Sequence, residues 1–426
     1  MLDIKYIREN PQEVKENNKN RGVKVNIDRF LELDKKRAGL IKEVDTLRAE
    51  KNKFKGKPTV KDLKNLKEVK EKEEKLTKTL RKTVLEWKNI ITQIPNLTHP
   101  DSPIGKNESK NKEIEKHGKP TKFDFKPKTH EELGRDLDLI DFERAAEVTG
   151  SKFYYLKNEG ALLELALTQY AFEVITKHGF TPIITPDLAR DEVSGGIGYI
   201  PRGPETQVYS IENTNLTLVG TSEITLGGYH MNEILPEEKL PIKYGGLSHC
   251  FRTEAGSYGK YSAGLYRIHQ FSKVEMFIFS LPEESEKMHE QIKNIEVEIF
   301  KGLGIPIRVV DICTGDLGGP AYRKYDLEGW MPSRNDYGEV TSTSNTTDYQ
   351  ARALNVKIKR KDGRKEFVHM LNGTGIAISR ALIVVFENYQ QKDGSVKIPK
   401  VLQKYIGGIK EIRRQKDRKT DVGLSF

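Results

Sequence analysis

Two long stretches near the N-terminus repeat apolar or long-stemmed residues every three or four positions. The first runs from Leu33 to Phe54 and the second from Leu63 to Ile91. Steps that alternate between four and three residues form the heptad period of helices that wind around a partner helix. Gly56 and Pro58 lie between the two stretches, and both residue types interrupt a helix. The pattern therefore predicts two long helices that fold back on each other as an antiparallel hairpin.

Positive charge is concentrated in the same region. The 426-residue chain has a net charge of +10, and residues 35–90 hold nineteen Lys or Arg against nine Asp or Glu. This segment therefore carries the whole excess. A lysine-rich helical arm suits a polyanion, because neutralised phosphates release counterions and give affinity that does not depend on sequence. On composition alone, a helical hairpin that only joins protein to protein fits equally well.

A second informative stretch, CFRTEAGSYGKYSAGLYRIHQFSKVEM, runs from Cys250 to Met276. Two runs rich in aromatic and β-branched residues flank a glycine-containing loop, which predicts an antiparallel β-hairpin. Arg252 and Arg267 are expected one on each strand, and a guanidinium can grip phosphate through two parallel hydrogen bonds. Glu254 and Glu275 add carboxylates for a metal ion or a substrate amine. An isolated Arg-x-Glu is more often a surface ion pair, whereas the full 27-residue string is far more specific.

Three further segments place polar residues beside apolar runs. A Thr and a Glu two residues apart, as in 221–223, lie on the same face of a strand. Taken alone, however, Thr-Ser-Glu favours a capped helix N-terminus with Glu in its first turn. Glu339 and Ser342 offer oxygen ligands for a hard cation such as Mg²⁺. Residues 371–382 predict a glycine-rich turn, which lets backbone approach a ligand, followed by a helix that carries Arg380.

Several classes of protein are disfavoured by features that the sequence lacks. No apolar run approaches the roughly 20 residues of a membrane span, and the first ten residues lack the apolar core of a signal peptide, so we expect a cytoplasmic protein. Cys250 and Cys313 are too few for a disulfide framework, and a zinc site would need other ligands. Neither G-x-x-x-x-G-K-[ST] nor a strand-borne G-x-G-x-x-G occurs. A nucleotide would therefore have to be held by arginines on an antiparallel sheet.

Together these strings resemble the class II aminoacyl-tRNA synthetases, in the form carried by seryl-tRNA synthetases. Residues 162–186 are similar to motif 1, residues 250–276 to motif 2 and residues 371–382 to motif 3. The string I-P-N-L-x-H-P after the arm is also similar, so the resemblance extends from the arm almost to the C-terminus. Two positions depart from the family pattern: Thr343 stands where cysteine is usual, and Thr374 stands where serine is common.

The resemblance implies an α+β fold in two domains. Residues 1–108 would form an N-terminal antiparallel α-helical coiled-coil arm that binds tRNA. Residues 109–426 would form a class II catalytic domain, a mostly antiparallel β-sheet flanked by helices. The expected protein is a homodimer that uses ATP and Mg²⁺ to activate L-serine as seryl-adenylate. It then transfers serine to the 3′ end of tRNA(Ser), without DNA or a membrane as partner; whether tRNA(Sec) is also charged is left open.

The resemblance also assigns roles to individual residues. Catalysis is assigned to Arg252, Arg380 and Glu339, and Mg²⁺ to Glu339 and Ser342. Arg252 would grip the α-phosphate and the serine carboxylate, Arg380 the γ-phosphate, and Phe271 would stack on adenine. The residues expected to bind ATP are Arg252, Thr253, Glu254, Arg267, Ile268, Phe271, Glu339, Val340, Thr341, Ser342 and Arg380. The residues expected to bind serine are Thr221, Ser222, Glu223, Arg252, Glu275, Asn372 and Thr374.

Three alternative functions fit parts of the sequence. A synthetase-like paralogue that loads amino acids onto carrier proteins would share the catalytic strings, but the basic arm argues against it. A coiled-coil nucleic-acid-binding protein with a degenerate catalytic fold would share the arm, but the charged positions of all three motifs are retained. A zinc-dependent seryl enzyme would need a ligand triad, and Cys250 and Cys313 are not joined by a recognisable one.

Overall fold

The computed structural model describes residues 1–53, 59–199, 206–254 and 264–414. The chain divides into two compact units, Met1–Leu97 and Thr98–Phe426. The division expected from sequence, after residue 108, falls inside the second unit. Of the helices in these described ranges, none combines the length and the apolarity that a bilayer crossing requires.

The first unit is helical. Its helices are α1 (Ile4–Glu9), α2 (Pro11–Asn20), α3 (Ile27–Lys53) and α4 (Val60–Ile91). The mostly polar composition of the segment after α1 favours a turn region, but the segment forms helix α2. Pro11 stands at its first position, where the missing N–H would have no helical partner in any case.

Helices α3 and α4 form the antiparallel hairpin that the heptads predict. Arg29 pairs with Glu86 at 2.7 Å, and Arg48 pairs with Glu73 at 3.1 Å. Residue numbers rise along one helix as they fall along the other, so the helices run in opposite directions. The Oδ1 atom of Asn26 accepts from the backbone N–H of Arg29 and caps α3. The predicted break at residues 56–58 and the last heptad position of the first helix lie outside the described residues.

The second unit is built around an eight-stranded sheet. The strands of this unit, in chain order, are β1 (Lys112–His117), β2 (Ile140–Asp141), β3 (Tyr155–Leu156), β4 (Thr181–Ile184), β5 (Leu188–Arg190), β6 (Leu216–Leu218), β7 (Ile234–Pro236), β8 (Ile242–Phe251), β9 (Gln270–Ser280), β10 (Ile307–Asp311), β11 (Arg323–Met331), β12 (Asp336–Asn345), β13 (Lys357–Lys359), β14 (Lys365–Phe367), β15 (His369–Ala377), β16 (Val396–Lys397) and β17 (Glu411–Ile412). Its α-helices are α5 (His130–Asp136), α6 (Phe142–Val148), α7 (Asn158–Lys177), α8 (Asp191–Ile197), α9 (Glu223–Gly228), α10 (Ser285–Gly302), α11 (Tyr349–Leu354) and α12 (Ile378–Tyr389).

The strand order of the large sheet is β1-β10-β11-β12-β15-β9-β8-β4. Every neighbouring pair is antiparallel except β4 and β8, which run parallel. Residues 101–129 are rich in Lys, Asn and Pro, a composition that favours a linker. That prediction is wrong for β1, because Lys112 pairs with Asp311 and His117 with Ile307 at the edge of the sheet. The predicted α+β fold with a mostly antiparallel sheet is confirmed.

The faces of this sheet differ. Helices α7, α10 and α12 contribute to one continuous apolar core with the strands, through side chains such as Leu167, Ile292 and Leu382. Helix α10 lies so close to β15 that a Cβ on Gly373 would come within 2.2 Å of the Ile292 side chain. The residues of β15 that alternate with Gly373, such as Thr374, point to the opposite face of the sheet, away from α10. They line the cavities described below.

Candidate active site

Two cavities, of about 590 and 350 Å³, adjoin each other in the second unit. The residues that line both are Arg252, Glu254, Arg267, Lys273, Lys324, Ser342 and Thr374. Every residue that the sequence assigns to ATP lines one cavity or both. Of the residues assigned to serine, those that line a cavity are Glu223, Arg252, Glu275, Asn372 and Thr374. The smaller cavity holds Phe271, Glu339 and Arg380, and the larger holds Glu223 and Glu275.

Thr221 and Ser222 line neither cavity. Both are fully buried, and Glu223 is the first residue of α9. The backbone N–H of Glu223 donates to Thr221 Oγ1 at 3.2 Å, and Ser222 Oγ donates to the Gly246 carbonyl at 3.0 Å. The prediction that Thr221 and Glu223 share a strand face is therefore wrong. The segment forms a helix N-terminus that nevertheless presents Glu223 to the larger cavity.

Arg252 and Arg380 face a common space, the smaller cavity. Arg252 follows the last residue of β8; its Nε donates to the Gly220 carbonyl at 3.2 Å, and its guanidinium lies 5.3 Å from the centroid of the Phe271 ring. Arg380 lies in the first turn of α12, with its guanidinium 4.9 Å from the centroid of the Tyr266 ring. Each guanidinium therefore rests against an aromatic face, which limits where it can point.

The sequence predicted one motif 2 arginine on each strand, and this prediction is wrong. Strand β8 ends at Phe251 and β9 begins at Gln270, so both arginines lie in the connection. Arg267 Nη1 is 3.0 Å from Glu254 Oε2 across that connection. Residues 255–263 of the predicted loop lie outside the described residues.

A β-bulge brings Glu339 and Ser342 to the same cavity. In a regular strand, residues three apart point to opposite faces, and the sequence predicts such regular alternation here. Thr341 pairs with Leu327, however, whereas Glu339 pairs with Glu328, so β12 has one extra residue at Val340. An extra residue reverses the facing of everything beyond it. The two oxygen-bearing side chains therefore both reach the smaller cavity.

The motif 3 segment is a strand rather than the glycine-rich turn that its sequence suggests. Strand β15 continues through Gly373 and Gly375 to Ala377 before α12 begins. Gly373 is needed because α10 leaves no room for a side chain. A register shift between Thr374 and Ile376 places a second bulge at Gly375.

Two carboxylates, those of Glu223 and Glu275, line the larger cavity. Gln350 Nε2 and Asn372 Nδ2 both donate to Oε1 of Glu223, at 2.8 and 3.0 Å. Thr374 Oγ1 donates to Glu275 Oε2 at 3.2 Å, and the Lys273 ammonium pairs with the same carboxylate. Burial, reinforced by the charge of Glu275, raises the pKa of Glu223 to about 7.

Several residues of the cavities were not predicted from the sequence. They include Tyr199, Tyr266, Lys273, Lys324 and Gln350. Lys273 had a usable signal, because it alternates with Phe271 and Glu275 on β9 and so shares their face. Gln350 had no such signal in the sequence, because the carboxylate it contacts, that of Glu223, lies 127 residues away along the chain.

Comparison with known proteins gives a consistent result. Residues 1–98 match the model of the seryl-tRNA synthetase N-terminal domain, and residues 207–389 match that of the tRNA synthetase class II core domain (G, H, P, S and T). The serine–tRNA ligase of Treponema denticola is 53% identical over 417 residues, covering 96% of this chain and 99% of its own. That of Dictyoglomus turgidum is 55% identical over 426 residues, covering 98% and 100%.

Solved structures are similar over nearly the whole chain. The crystal structure of seryl-tRNA synthetase from Pyrococcus horikoshii complexed with ATP has a TM-score of 0.87 and 41% identity, covering 97% of this chain and 100% of the other. The cytoplasmic serine–tRNA ligase from Naegleria fowleri in complex with AMP has a TM-score of 0.83 and 33% identity, covering 97% and 99%.

Proposed function

The chain belongs to the seryl-tRNA synthetase family, and from this premise we propose how its own residues ligate serine to tRNA. In the first step, a serine carboxylate oxygen attacks the α-phosphorus of ATP, and the bond to pyrophosphate breaks. In the second, a terminal ribose hydroxyl of tRNA attacks the adenylate carbonyl, and AMP leaves. The observation that carries the proposal is that Arg252 and Arg380 line one cavity, which opens onto a second cavity lined by Glu223 and Glu275.

In this proposal the smaller cavity holds ATP. Arg252 binds the α-phosphate and the serine carboxylate, Arg380 binds the γ-phosphate, and adenine stacks on Phe271. No protein nucleophile is needed, because fixed positive charges that face the developing negative charge supply the rate. The aromatic contacts of both guanidinium groups support this role, since they hold the charges in place before substrate arrives.

The residues beside the phosphate cavity fit Mg²⁺ as well. Burial raises the pKa of Glu339, but the cations Arg380 and Lys324 outweigh it and hold that pKa below its usual range, so the carboxylate is ionised. Among the described residues no three His, Cys, Asp or Glu side chains cluster as metal ligands. One carboxylate and one hydroxyl suit an ion that takes its other ligands from phosphate and water. We assign Glu339 and Ser342 to Mg²⁺, which would neutralise phosphate charge.

The larger cavity is proposed to hold serine. Glu223 and Glu275 receive the ammonium group, and Glu275 with Thr374 receives the hydroxyl. Alanine would leave these buried polar groups unpaired, which costs far more than the loss of one apolar group. Threonine would bring a methyl group into a site already narrowed by the methyl of Thr374.

A homodimer is part of the proposal. Helix α7 and strand β4 resemble the motif 1 segment, and they expose large apolar side chains: Leu165 is 61% exposed and Ile184 is 83% exposed. Large apolar side chains with this much exposure are typical of contact surfaces. We propose that a second copy of the chain covers this edge.

The helical arm is proposed to bind tRNA(Ser), with the catalytic domain beginning after residue 108 and the enzyme working in the cytoplasm. Support comes from the lysine-rich exposed faces of α3 and α4 and from the match of residues 1–98 to the family's N-terminal domain. Charging of tRNA(Sec) would follow if that tRNA presents the same backbone surface to the arm.

The proposed function is tested by ATP–pyrophosphate exchange with each amino acid in turn, followed by charging of total tRNA. Exchange that depends on serine, with serine esterified to tRNA, is the expected result. Exchange with another amino acid, or serine transferred to a protein carrier instead of tRNA, would contradict it.

A further inference from the structure

We propose that Lys324 is a further catalytic residue of adenylate formation, and that its ammonium group donates hydrogen bonds to a non-bridging oxygen of the ATP α-phosphate. The inference rests on the proposed function of the two cavities. It gives a role to a lysine on β11 that neither the phosphate-binding nor the serine-binding set contains.

Lys324 stands where the two cavities join, because it lines both. It is opposite Ser344 on β12, and Asp326 is opposite Ser342. The serine carboxylate and the α-phosphorus must meet at this junction, since one substrate fills each cavity. A side chain that reaches both spaces is therefore next to the reacting atoms.

The ammonium group of Lys324 keeps hydrogen-bonding capacity for a ligand. It donates to Asp326 Oδ2 at 3.1 Å, and within the described ranges Asp326 is its hydrogen-bond partner. Nζ also lies 2.9 Å from Oδ1 of the same carboxylate. An ammonium has three donors, so at least one is left for a ligand in the cavities that the side chain lines. Lys273, by comparison, is held between Glu275 and Thr374.

The charge of Lys324 is held in place by its surroundings. Burial lowers its pKa, but Asp326 and Glu339 outweigh this and raise the pKa above its usual range. The lysine is therefore a cation at neutral pH. Asp326 also tethers it, so the cation is placed before ATP binds, as electrostatic catalysis requires.

Adenylate formation needs such a charge opposite Arg252. A carboxylate oxygen forms a bond to the α-phosphorus, the bond to the β-phosphate oxygen breaks, and its electron pair leaves with pyrophosphate. No proton is gained or lost, so the protein contributes positive charge rather than acid or base. Strands β8 and β11 are four spacings of about 4.8 Å apart in the sheet. Arg252 and Lys324 thus approach the junction from opposite sides.

The test compares serine-dependent ATP–pyrophosphate exchange in wild type, K324M and K324R. Loss of one donor to the transition state lowers kcat by about 100-fold or more, so K324M should lose about that factor. The KM values for serine and ATP should stay within about threefold, because the interaction strengthens in the transition state. K324R should recover part of the loss, since it restores the charge with different geometry.

Lys293 provides a matched control for the loss of a buried ion pair. It is a buried lysine that pairs with Glu115 and Glu290 and lines neither cavity. K293M should lose thermal stability with kcat unchanged. A loss in K324M no larger than in K293M, a loss confined to KM, or K324R no better than K324M would overturn the proposal.

Two further measurements keep the outcome decisive. If K324M does not fold, K324Q is measured instead, because its amide can still donate to Asp326; full exchange in K324Q would refute the inference. The wild-type enzyme is measured first with serine and with alanine. Absence of serine-dependent exchange there would defeat the proposed function itself, before any Lys324 variant is compared.

Discussion

Arg380 and Glu339 form an ion pair, with Nη1 of the arginine 2.8 Å from Oε1 of the glutamate. Arg380 also donates to the backbone carbonyl of Glu339 at 3.2 Å. Our proposal assigns the first to the γ-phosphate and the second to Mg²⁺. ATP bound with its metal would offer an anion to the arginine and a cation to the carboxylate. ATP binding would therefore exchange the partners of both groups, and neither charge would be left unpaired.

The first prediction concerns Arg380. R380A removes a charge-assisted hydrogen bond worth about 1.5–3 kcal/mol, so the KM for ATP in the exchange reaction should rise roughly 10- to 100-fold. Arg334 is the matched control, because its guanidinium lies 4.6 Å from the same Tyr266 ring but lines neither cavity. R334A should leave the KM for ATP within about twofold. Equal effects of the two changes would contradict the assignment.

The second prediction concerns Glu275 and its partner Lys273. E275A leaves a buried ammonium unpaired, which costs about 3–5 kcal/mol, and it removes the proposed anchor of serine. Serine-dependent exchange should be nearly abolished, and the melting temperature should fall. E387Q is the control, since Glu387 is a fully buried glutamate that pairs with His130 away from both cavities. Near-normal exchange in E275A would refute the role of Glu275.

The third prediction concerns pH and Glu223. Its raised pKa means that the folded protein keeps this proton to higher pH than the unfolded chain. The free energy of unfolding should therefore fall as pH rises from about 4.5 to about 7. The serine ammonium group prefers the ionised carboxylate, so the KM for serine should rise up to about tenfold per unit as pH falls below 7.

E223Q separates this titration from others in the site. The amide cannot lose a proton, so the KM for serine should be high but nearly constant between about pH 5.5 and 8.5. Calorimetric unfolding over the same range should lose part of its slope. If E223Q keeps the wild-type pH profile, another group is responsible for it.

Many active-site residues could be predicted because they lie close together in short segments of the sequence. Arg252 and Glu254 lie two residues apart, and Glu275 follows on a strand whose alternation is plain. The sequence does not show which face of the sheet each residue of a strand points to when the strand contains a bulge. Glu339 and Ser342 share a cavity only because β12 has an extra residue at Val340, and no residue type announces that bulge.

Strand β1 and Lys324 were not predicted from the sequence, and both omissions have the same physical cause. Strand β1 is charged and exposed along most of its length, as edge strands are when they must not pair with other chains. Its composition is therefore that of a linker, and only its pairing with β10 distinguishes this edge strand from a linker. Lys324 was missed for a related reason: its value to the site depends on which strand lies beside it, which local sequence does not state.

The fourth prediction concerns the exposed edge at α7 and β4. An aspartate at Leu165 and at Ile184 would place charges in the proposed dimer interface, so L165D/I184D should be monomeric in sedimentation analysis. Val148 on α6 is the control, because it is 70% exposed but lies outside this edge; V148D should remain dimeric. A wild-type monomer, or a V148D monomer, would contradict the placement of the interface.

The fifth prediction concerns the arm. Deletion of residues 35–90 should spare serine-dependent exchange yet abolish charging of tRNA. A milder variant replaces exposed lysines of α4 with glutamine at Lys64, Lys67, Lys78 and Lys82. Each phosphate that is no longer neutralised should reduce the slope of log affinity against log salt by roughly 0.7–0.9. The KM for tRNA should rise, while the KM values for serine and ATP stay unchanged.

The same number of charges can be removed from the second unit as a control. Lys359, Lys361, Lys365 and Lys397 are exposed there, and their replacement by glutamine lowers the net charge equally. If the arm is the tRNA-binding element, this variant should keep the wild-type salt slope, because the charges it loses lie outside the arm. General attraction between a basic protein and RNA changes by the same amount in both variants, so it cannot explain a difference between their slopes. Equal losses in the two variants would mean that overall charge governs tRNA binding. A truncated protein that still charges tRNA would remove the arm from the mechanism altogether.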